Sequence, residues 1–433
     1  MKKARPEAAQ PAGAEPAALA WLPFTVGRLP RILFGPGRAA ELPGVVRAFG
    51  KRALVVLRKS WLSDDPDWAR LRAGLAAAGV ELTIEGVSGE PSPAVVDGIV
   101  ARTRARSRGS GAGAAPVDVV VGIGGGSVLD TAKAVAGLLI PGNSVRDHLE
   151  GVGPELPYRG PSVPFVAVPT TAGTGSEATK NAVLSERGPQ GFKKSFRDDA
   201  LVAQVAIVDP NLLAGCPPEV IAGNGMDALT QLLESYLSVR ANPFTDALAL
   251  SGLSAARDGL LTWHAEAVAG RGGGGPGTLA AAARERMAYA ALCSGICLAQ
   301  AGLGAVHGLA SPLGALFLIP HGAACGATLA AATRVNIAAL EERDPGSVAL
   351  SRYAAVAWLL TGRAVADDAE TRSALVPELE SWSARLGVPP LSVFGITASD
   401  IPAIVADSRG SSMKTNPVTL TDDEIASILE ASL

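Results

Sequence analysis

VDVVVGIGGGSVLDTAKAVAG, residues 117–137, is the stretch on which the fold turns. Its first seven residues are almost unbroken Val and Ile, the pattern of a strand buried on both faces, because a half-exposed strand alternates apolar with polar side chains. Gly124, Gly125 and Gly126 end the strand, and a helical run begins near Ser127. Working outward, the alternation repeats. RALVVL (52–57), the helical WARLRAGLAAAG, ELTIEGV, PFVAVPTT (164–171) and QVAIVDP (204–210) are short β-rich runs set among Ala/Leu-rich ones. Strand, helix, strand, helix predicts a parallel sheet covered on both faces.

After Pro210 the β signal almost vanishes. VIAGNGMDALTQLLESYLS, PFTDALALSGLSAARDGLLTWHAEAV, LAAAARERMAYAALCSGICLAQAGLGAVHGLA and amphipathic runs beyond them all read as helices. The expected organisation is a tail over 1–21, an α/β domain with a parallel sheet over 22–210 and an all-α C-terminal domain over 211–433, with a cleft between the domains as the default site. RTRARSRGSGAGAAPVD (102–118) reads as a lengthened surface loop and GRGGGGPG (270–277) as a helix–helix connection.

Composition narrows the function. With 38 Lys and Arg against 41 Asp and Glu, the formal charge of −3 offers no basic field for nucleic acid and no acidic tail. Cys216, Cys293, Cys297 and Cys325 form no C-x-x-C pair. Cys293 and Cys297, one helical turn apart in an apolar run, read as buried free thiols, and so few cysteines fit a reducing, cytoplasmic setting. Residues 1–20 start with Lys2 and Lys3 but continue into Pro and Glu without an apolar core, as in a polar tail. Gly, Pro and charge interrupt every apolar run before it reaches bilayer length, so a soluble protein with no membrane partner is expected.

Three groups of residues carry chemistry. Gly124, Gly125, Gly126 and Ser127 permit close backbone approach, and the helix that starts there presents unpaired N–H groups and a positive dipole end to an anion such as a pyrophosphate. Asp130, in the early turns of that helix, favours the same dipole. The spacing is neither G-x-G-x-x-G nor a P-loop, and an ordinary glycine-rich turn remains the alternative. In VPTTAGTGSEATKN (168–181), Thr170, Thr171, Thr174, Ser176 and Asn181 crowd hydroxyls and an amide at the end of a buried strand, more than one helix cap needs. Such strand ends bind ligands in α/β sheets. In the helical half, Asp227 and Gln231 share one helix face and His307 and His321 flank an apolar run. From spacing alone, the two histidines read more readily as satisfied core residues than as ligands.

GGGSVLDTAK, PTTAGTGSEAT, GMDALTQLLESY and HGLASPLGALFLIPHG occur in that order and at family-like intervals. Together they resemble the iron-containing (group III) alcohol dehydrogenase family, from about Leu22 to the C-terminus. The resemblance implies an α/β N-terminal dinucleotide-binding domain followed by an all-α metal-binding domain. It also implies hydride transfer between NAD or NADP and a small alcohol or aldehyde. It places Gly124 to Ser127 at the pyrophosphate, with Thr170, Thr171, Thr174, Asn181 and Lys193 along the rest of the cofactor. Asp227, His307 and His321 would bind a divalent metal, Fe2+ by the family pattern with Zn2+ as the alternative. A homodimer is expected on the same ground.

Two positions depart from the family pattern. Gln231 stands where a histidine is usual, so any fourth ligand would be a neutral amide oxygen, a poorer donor than imidazole toward iron or zinc. Ser311 stands where the second histidine of H-x-x-x-H is usual, leaving proton relay to Ser311, water or the cofactor ribose. At the end of RALVVLR, where members that use NAD often carry an acid, this chain has Arg58 followed by Lys59. That basic pair favours NADP(H), unless it is merely solvated surface. The competing readings are a cyclase similar to dehydroquinate synthase, disfavoured by the intact PTTAGTGSE stretch, and a nucleotide-binding protein without a metal centre or turnover.

Overall fold

The computed structural model describes residues 23–63, 65–106, 115–187, 191–363 and 367–433. The tail expected over 1–21 and residues 107–114 of the expected surface loop lie outside them. The start of that loop is corrected: its first residues, 102–106, are the last turn of a helix.

The α/β half contains β1 (Arg31–Phe34), β2 (Arg52–Arg58), β3 (Glu81–Val87), β4 (Val119–Gly124), β5 (Phe165–Pro169), β6 (Asn181–Glu186), β7 (Phe192–Arg197) and β8 (Val205–Val208). Its helices are α1 (Leu42–Phe49), α2 (Pro66–Ala77), α3 (Pro93–Arg106) and α4 (Gly126–Leu138). Six strands form one parallel sheet in the order β1-β8-β5-β4-β2-β3. Side-chain alternation divides each inner strand between two cores. Ala53, Val55 and Leu57 of β2 pack with Trp68, Leu71 and Leu75 of α2, whereas Leu54 and Val56 pack with Val96 and Ile99 of α3 and Leu129 of α4. A strand buried on both faces needs apolar residues at every position, which is why RALVVL and VVVGI are continuous hydrophobic runs.

This arrangement also sets the position of the cleft. The chain leaves β2 through α2 on one face of the sheet and leaves β4 through α4 on the other. Because β2 and β4 are neighbours, their C-terminal ends diverge into a crevice, the topological switch point at which α/β sheets bind ligands. Among the elements the sequence reading did not single out are the four-residue edge strand β1, helix α1 and the antiparallel hairpin β6–β7, which is not part of the main sheet.

The rest of the chain is helical: α5 (Pro218–Leu237), α6 (Pro243–Val268), α7 (Leu279–Ala301), α8 (Ala305–Leu316), α9 (His321–Arg343), α10 (Val348–Thr361), α11 (Asp368–Ser373), α12 (Leu375–Leu386), α13 (Ile401–Ala406) and α14 (Asp422–Glu430). The run 279–310 is not one helix. It breaks at Gly302, where φ is 79°, and α8 leaves α7 at 99°. Among the described residues α9 is long and apolar enough by length and composition to cross a bilayer, with Gly322, Gly326 and Arg334 interrupting it. This helix packs against α5, α8 and α12, and most of its apolar length is buried in the protein interior.

Candidate active site

The two turns expected to bind the cofactor emerge side by side in the α/β half. Gly124 at the end of β4 is level with Pro169 at the end of β5, and the amide of Thr170 donates to the carbonyl of Gly124 at 3.0 Å. Gly125 is the N-cap of α4. A Cβ on Gly126 would lie 2.8 Å from the Thr174 side chain, so the absence of side chains lets the two turns touch and form one wall.

Lys133 fastens that wall from beneath. It is fully buried, and its ammonium donates to the carbonyl of Ser176 (2.9 Å), the Ser176 hydroxyl (3.0 Å), the Thr179 hydroxyl (2.9 Å) and the carbonyl of Asn181 (2.5 Å). Asp130, expected beside the cofactor, accepts from the Ser176 hydroxyl and from the amide of Val183 at 3.1 Å, tying α4 to β6. Both its oxygens are therefore engaged in scaffolding. Glu177 in the same turn is buried, and desolvation pushes its carboxyl up to about 7 although Lys133 draws it the other way.

Helix α7 closes on this turn at a point with no room for side chains. A Cβ on Gly295 would sit 2.1 Å from the carbonyl oxygen of Gly175, and Gly175 itself has φ 58°, a conformation glycine adopts without strain. Ser294, beside that contact, donates to the carbonyl of Gly173 at 3.3 Å and to the Gln231 oxygen at 2.7 Å.

Four ligating side chains converge on the helical side of the cleft. Asp227 on α5, His307 on α8 and His321 and Cys325 on α9 offer donor atoms that all lie within 4.8 Å of one another. Asp227 Oδ1 is 3.2 Å from His307 Nε2 and 3.6 Å from His321 Nε2. Helix register creates this convergence. A Cβ on Gly322 would lie 2.1 Å from the carbonyl oxygen of Gly223, so α5 and α9 are in backbone contact there. Asp227, one turn beyond Gly223, thereby comes level with His321 and Cys325.

Glu234, unremarked in the sequence, fixes His307. One of its oxygens accepts the Nδ1–H of His307 at 2.7 Å and the other accepts the amide of Val306 at 2.7 Å, capping α8. With Nδ1 carrying the proton, Nε2 presents its lone pair to the cluster. Among the described residues neither Asp227 nor Glu234 has a Lys or Arg partner, although both are buried. Buried carboxylates without a basic counter-ion call for a cation, and the cluster's oxygen, nitrogen and sulfur donors suit one. Burial opposes the charge on Asp227, but His321, His307 and Gln231 outweigh it and hold the carboxyl below its ordinary range. Burial also works against the charged forms of His307 and Cys325. Their mutual attraction, together with the neighbouring carboxylates and His321, nevertheless raises the imidazole and lowers the thiol.

The two departures from the family pattern have structural consequences. Gln231 does not turn its oxygen to the cluster: its amide nitrogen donates to Asp227 Oδ1 at 3.0 Å and its oxygen accepts from Ser294. The assignment follows from chemistry, since a carboxylate can only accept. The Ser311 hydroxyl donates to the carbonyl of Lys193 at 3.2 Å, joining α8 to β7, while the Lys193 ammonium pairs with Glu90 at 2.7 Å.

Two cavities meet at the cluster. A larger one of about 1040 Å3 runs from Arg58 past Gly125, Thr170 and Thr171 to Asp227, and a smaller one of about 280 Å3 is lined by Asp130, Ser176, Asn181, Lys193, Gln231 and Ser311. Glu90, Gly126, Ser127, Thr174 and His321 line both. Lys59 is not on these walls, and of the remaining histidines His264 lines the larger cavity while His148 stacks on Phe196 away from it. Cys325 is the cluster member that sequence reasoning missed. The usable signal was its spacing of four from His321, which puts both on one helix face.

Comparison with known proteins agrees with this geometry. Residues 30–210 match the iron-containing alcohol dehydrogenase family and residues 221–433 match the C-terminal part of the Fe-containing alcohol dehydrogenase family. The chain is 34% identical over 319 residues to long-chain-alcohol dehydrogenase 1 of Geobacillus thermodenitrificans, covering 72% of this chain and 74% of that one. It is 28% identical over 410 residues to the NAD-dependent methanol dehydrogenase of Bacillus methanolicus, covering 93% and 98%. A crystal structure of 1,3-propanediol oxidoreductase superposes with TM-score 0.81 at 28% identity, covering 95% of this chain and 100% of the other. These matches favour hydride transfer over a cyclase or a binding protein without turnover. By its matched regions, its relatives and its fold, the chain belongs to the iron-containing alcohol dehydrogenase family.

Proposed function

We propose that the chain moves hydride between a nicotinamide dinucleotide and a small alcohol or aldehyde bound where the two cavities meet. The observation that carries this reading is that His321 belongs both to the Asp227–His307 cluster and to the walls shared with the glycine loop. When bound, a divalent cation at Asp227, His307 and His321 supplies Lewis-acid polarisation of the substrate oxygen, and the nicotinamide supplies or takes the hydride.

The protein's own groups bind and orient. Gly124 to Ser127 offer backbone N–H groups to the pyrophosphate. Thr170, Thr171, Thr174, Ser176, Asn181 and Lys193 line the remaining cofactor and substrate space. Gln231 holds Asp227 in position through its amide N–H in place of serving as a ligand, and Glu234 fixes the His307 tautomer. Ser311 faces the smaller cavity with a hydroxyl able to pass a proton, although its hydrogen now points to the Lys193 carbonyl. Arg58 and Arg187 on the wall of the larger cavity, with no acid in the place of Arg58, support NADP(H) over NAD(H). The division of labour falls near residue 210, with the cofactor on the N-terminal side and the metal on the C-terminal side. We further propose a soluble, cytoplasmic homodimer.

The test combines metal analysis with alcohol-dependent absorbance in the reduced-nicotinamide band. Expected are low activity on isolation, a rise on adding a divalent metal and a sharp fall on chelation. Full turnover in protein shown to be metal-free would overturn the reading and leave the histidines as hydrogen-bond donors to the substrate oxygen.

A further inference from the structure

We propose that Cys325 is the fourth protein ligand of the metal, so that this chain holds its cation in an Asp–His–His–Cys tetrahedron and selects Zn2+ over Fe2+. The inference rests on the metal-dependent reading above and adds to it the ligand set and the metal.

Five of the six donor–donor distances lie close to tetrahedral edges, and the whole donor set spans no more than 4.8 Å. The Sγ of Cys325 lies 3.9 Å from Asp227 Oδ1, 3.8 Å from His307 Nε2 and 3.9 Å from His321 Nε2. Asp227 Oδ1 lies 3.2 Å and 3.6 Å from the two imidazole nitrogens. A tetrahedral Zn2+ with its usual bond lengths sets sulfur edges of about 3.6 Å and nitrogen–oxygen edges of about 3.3 Å. These five edges therefore match to within a few tenths of an ångström, and the sulfur edges are the long ones, as a longer metal–sulfur bond requires.

The chemistry complements the departure at Gln231. Helix α5 contributes one ligand, because the next turn presents an amide N–H to Asp227 instead of a donor atom to the cation. Helix α9 makes up the number by contributing two, His321 and Cys325, one turn apart. A thiolate beside a carboxylate brings two negative charges to a dication, and sulfur shifts selectivity toward the softer metal, on top of the higher affinity that nitrogen and sulfur sites generally have for Zn2+ over Fe2+. Asp227, His307 and Cys325 are buried, whereas the His321 side chain is 28% exposed, so a substrate oxygen would join the four protein ligands as a fifth from the side of the cleft.

The full-length protein, stripped of metal and reloaded with Co2+ to one equivalent, provides the test. The expected spectrum has tetrahedral visible bands and a thiolate-to-cobalt charge-transfer band in the near ultraviolet, lost in Cys325→Ser. In direct titration Cys325→Ser should lose about 100-fold or more in Zn2+ affinity, since losing an outer-shell partner alone costs 10–100-fold. Affinity for Fe2+ should fall less, so the Zn2+/Fe2+ preference narrows. Stoichiometric Co2+ in the wild type without the charge-transfer band would overturn the proposal while leaving the metal-dependent reading intact, and this arm needs no variant to fold. A band that survives in Cys325→Ser would overturn it equally. Wild type that binds no divalent metal at all would instead remove the reading on which the proposal rests.

Discussion

The glycine loop at the end of β4 and the cluster around Asp227 face the same cleft but are built in opposite ways. On the proposed reading the loop is a backbone site, whose glycines serve by lacking side chains where two adjacent turns touch. The cluster is a side-chain site assembled from α5, α8 and α9, and each donor's place depends on how those helices pack. The lesson is one of range. A backbone site is damaged by adding atoms locally, whereas a side-chain site is damaged by any shift of helix register, including one made outside it.

The sharpest way to break the contrast is Gly322→Val. With a Cβ only 2.1 Å from the Gly223 carbonyl, α5 and α9 must separate. Overpacking of this kind costs about 1–3 kcal/mol. We expect a lower Tm and a large loss of metal, with dinucleotide affinity retained in the folded fraction. Calorimetry alongside metal analysis measures both, and retained metal would show that the cluster does not depend on this register. The converse change is Gly125→Val, whose Cβ meets Thr171 at 3.1 Å on the wall of the larger cavity proposed to take the cofactor. It should weaken dinucleotide binding about 100-fold, some 2.7 kcal/mol, and leave metal content unchanged. Unaltered cofactor affinity in a fluorescence titration would take this loop out of the site.

Arg58→Asp refines the cofactor side without touching the metal. Loss of a charge-assisted bond to a 2′-phosphate, worth about 1.5–3 kcal/mol, should cut kcat/KM for NADP(H) by about tenfold or more and spare NAD(H). Equal effects on both would make Arg58 ordinary surface.

The smallest expected effect on binding is that of Glu177→Gln, which reports instead on the scaffold. The carboxyl of Glu177 rises from an ordinary 4.5 to about 7 in the fold. Between those values the unfolded chain releases a proton that the folded chain retains, so stability falls as pH rises from 4.5 to about 7 and then levels off. The glutamine variant should lack this fall, and its Tm advantage over wild type should grow across that window. A constant difference across the window would mean that Glu177 is ionised in the fold.

Much of the α/β half was legible because its signals are local. A strand buried on both faces must be apolar at every position, and the glycines of 124–126 sit where a strand turns directly into a helix. The hairpin β6–β7 escaped notice because NAVLSE and FKKSFR are short and the latter carries two lysines, as befits strands outside the main sheet. The break between α7 and α8 was hidden in a run of helix-forming residues, and only Gly302 and Gly304 mark it.

In the helical half, the sequence alone determined residue types and helix faces: Asp227 with Gln231, and His321 with Cys325, each pair four residues apart. It could not say that Gln231 would turn its nitrogen to Asp227, that Glu234 would hold His307, or that Cys325 would stand beside Asp227, His307 and His321 while Cys293 and Cys297 are simply buried. Only the tertiary structure decided these. Helical periodicity is a property of neighbouring residues, whereas a donor set of four atoms within 4.8 Å, drawn from residues 227, 307, 321 and 325, exists only after the backbones of α5 and α9 meet at Gly223 and Gly322.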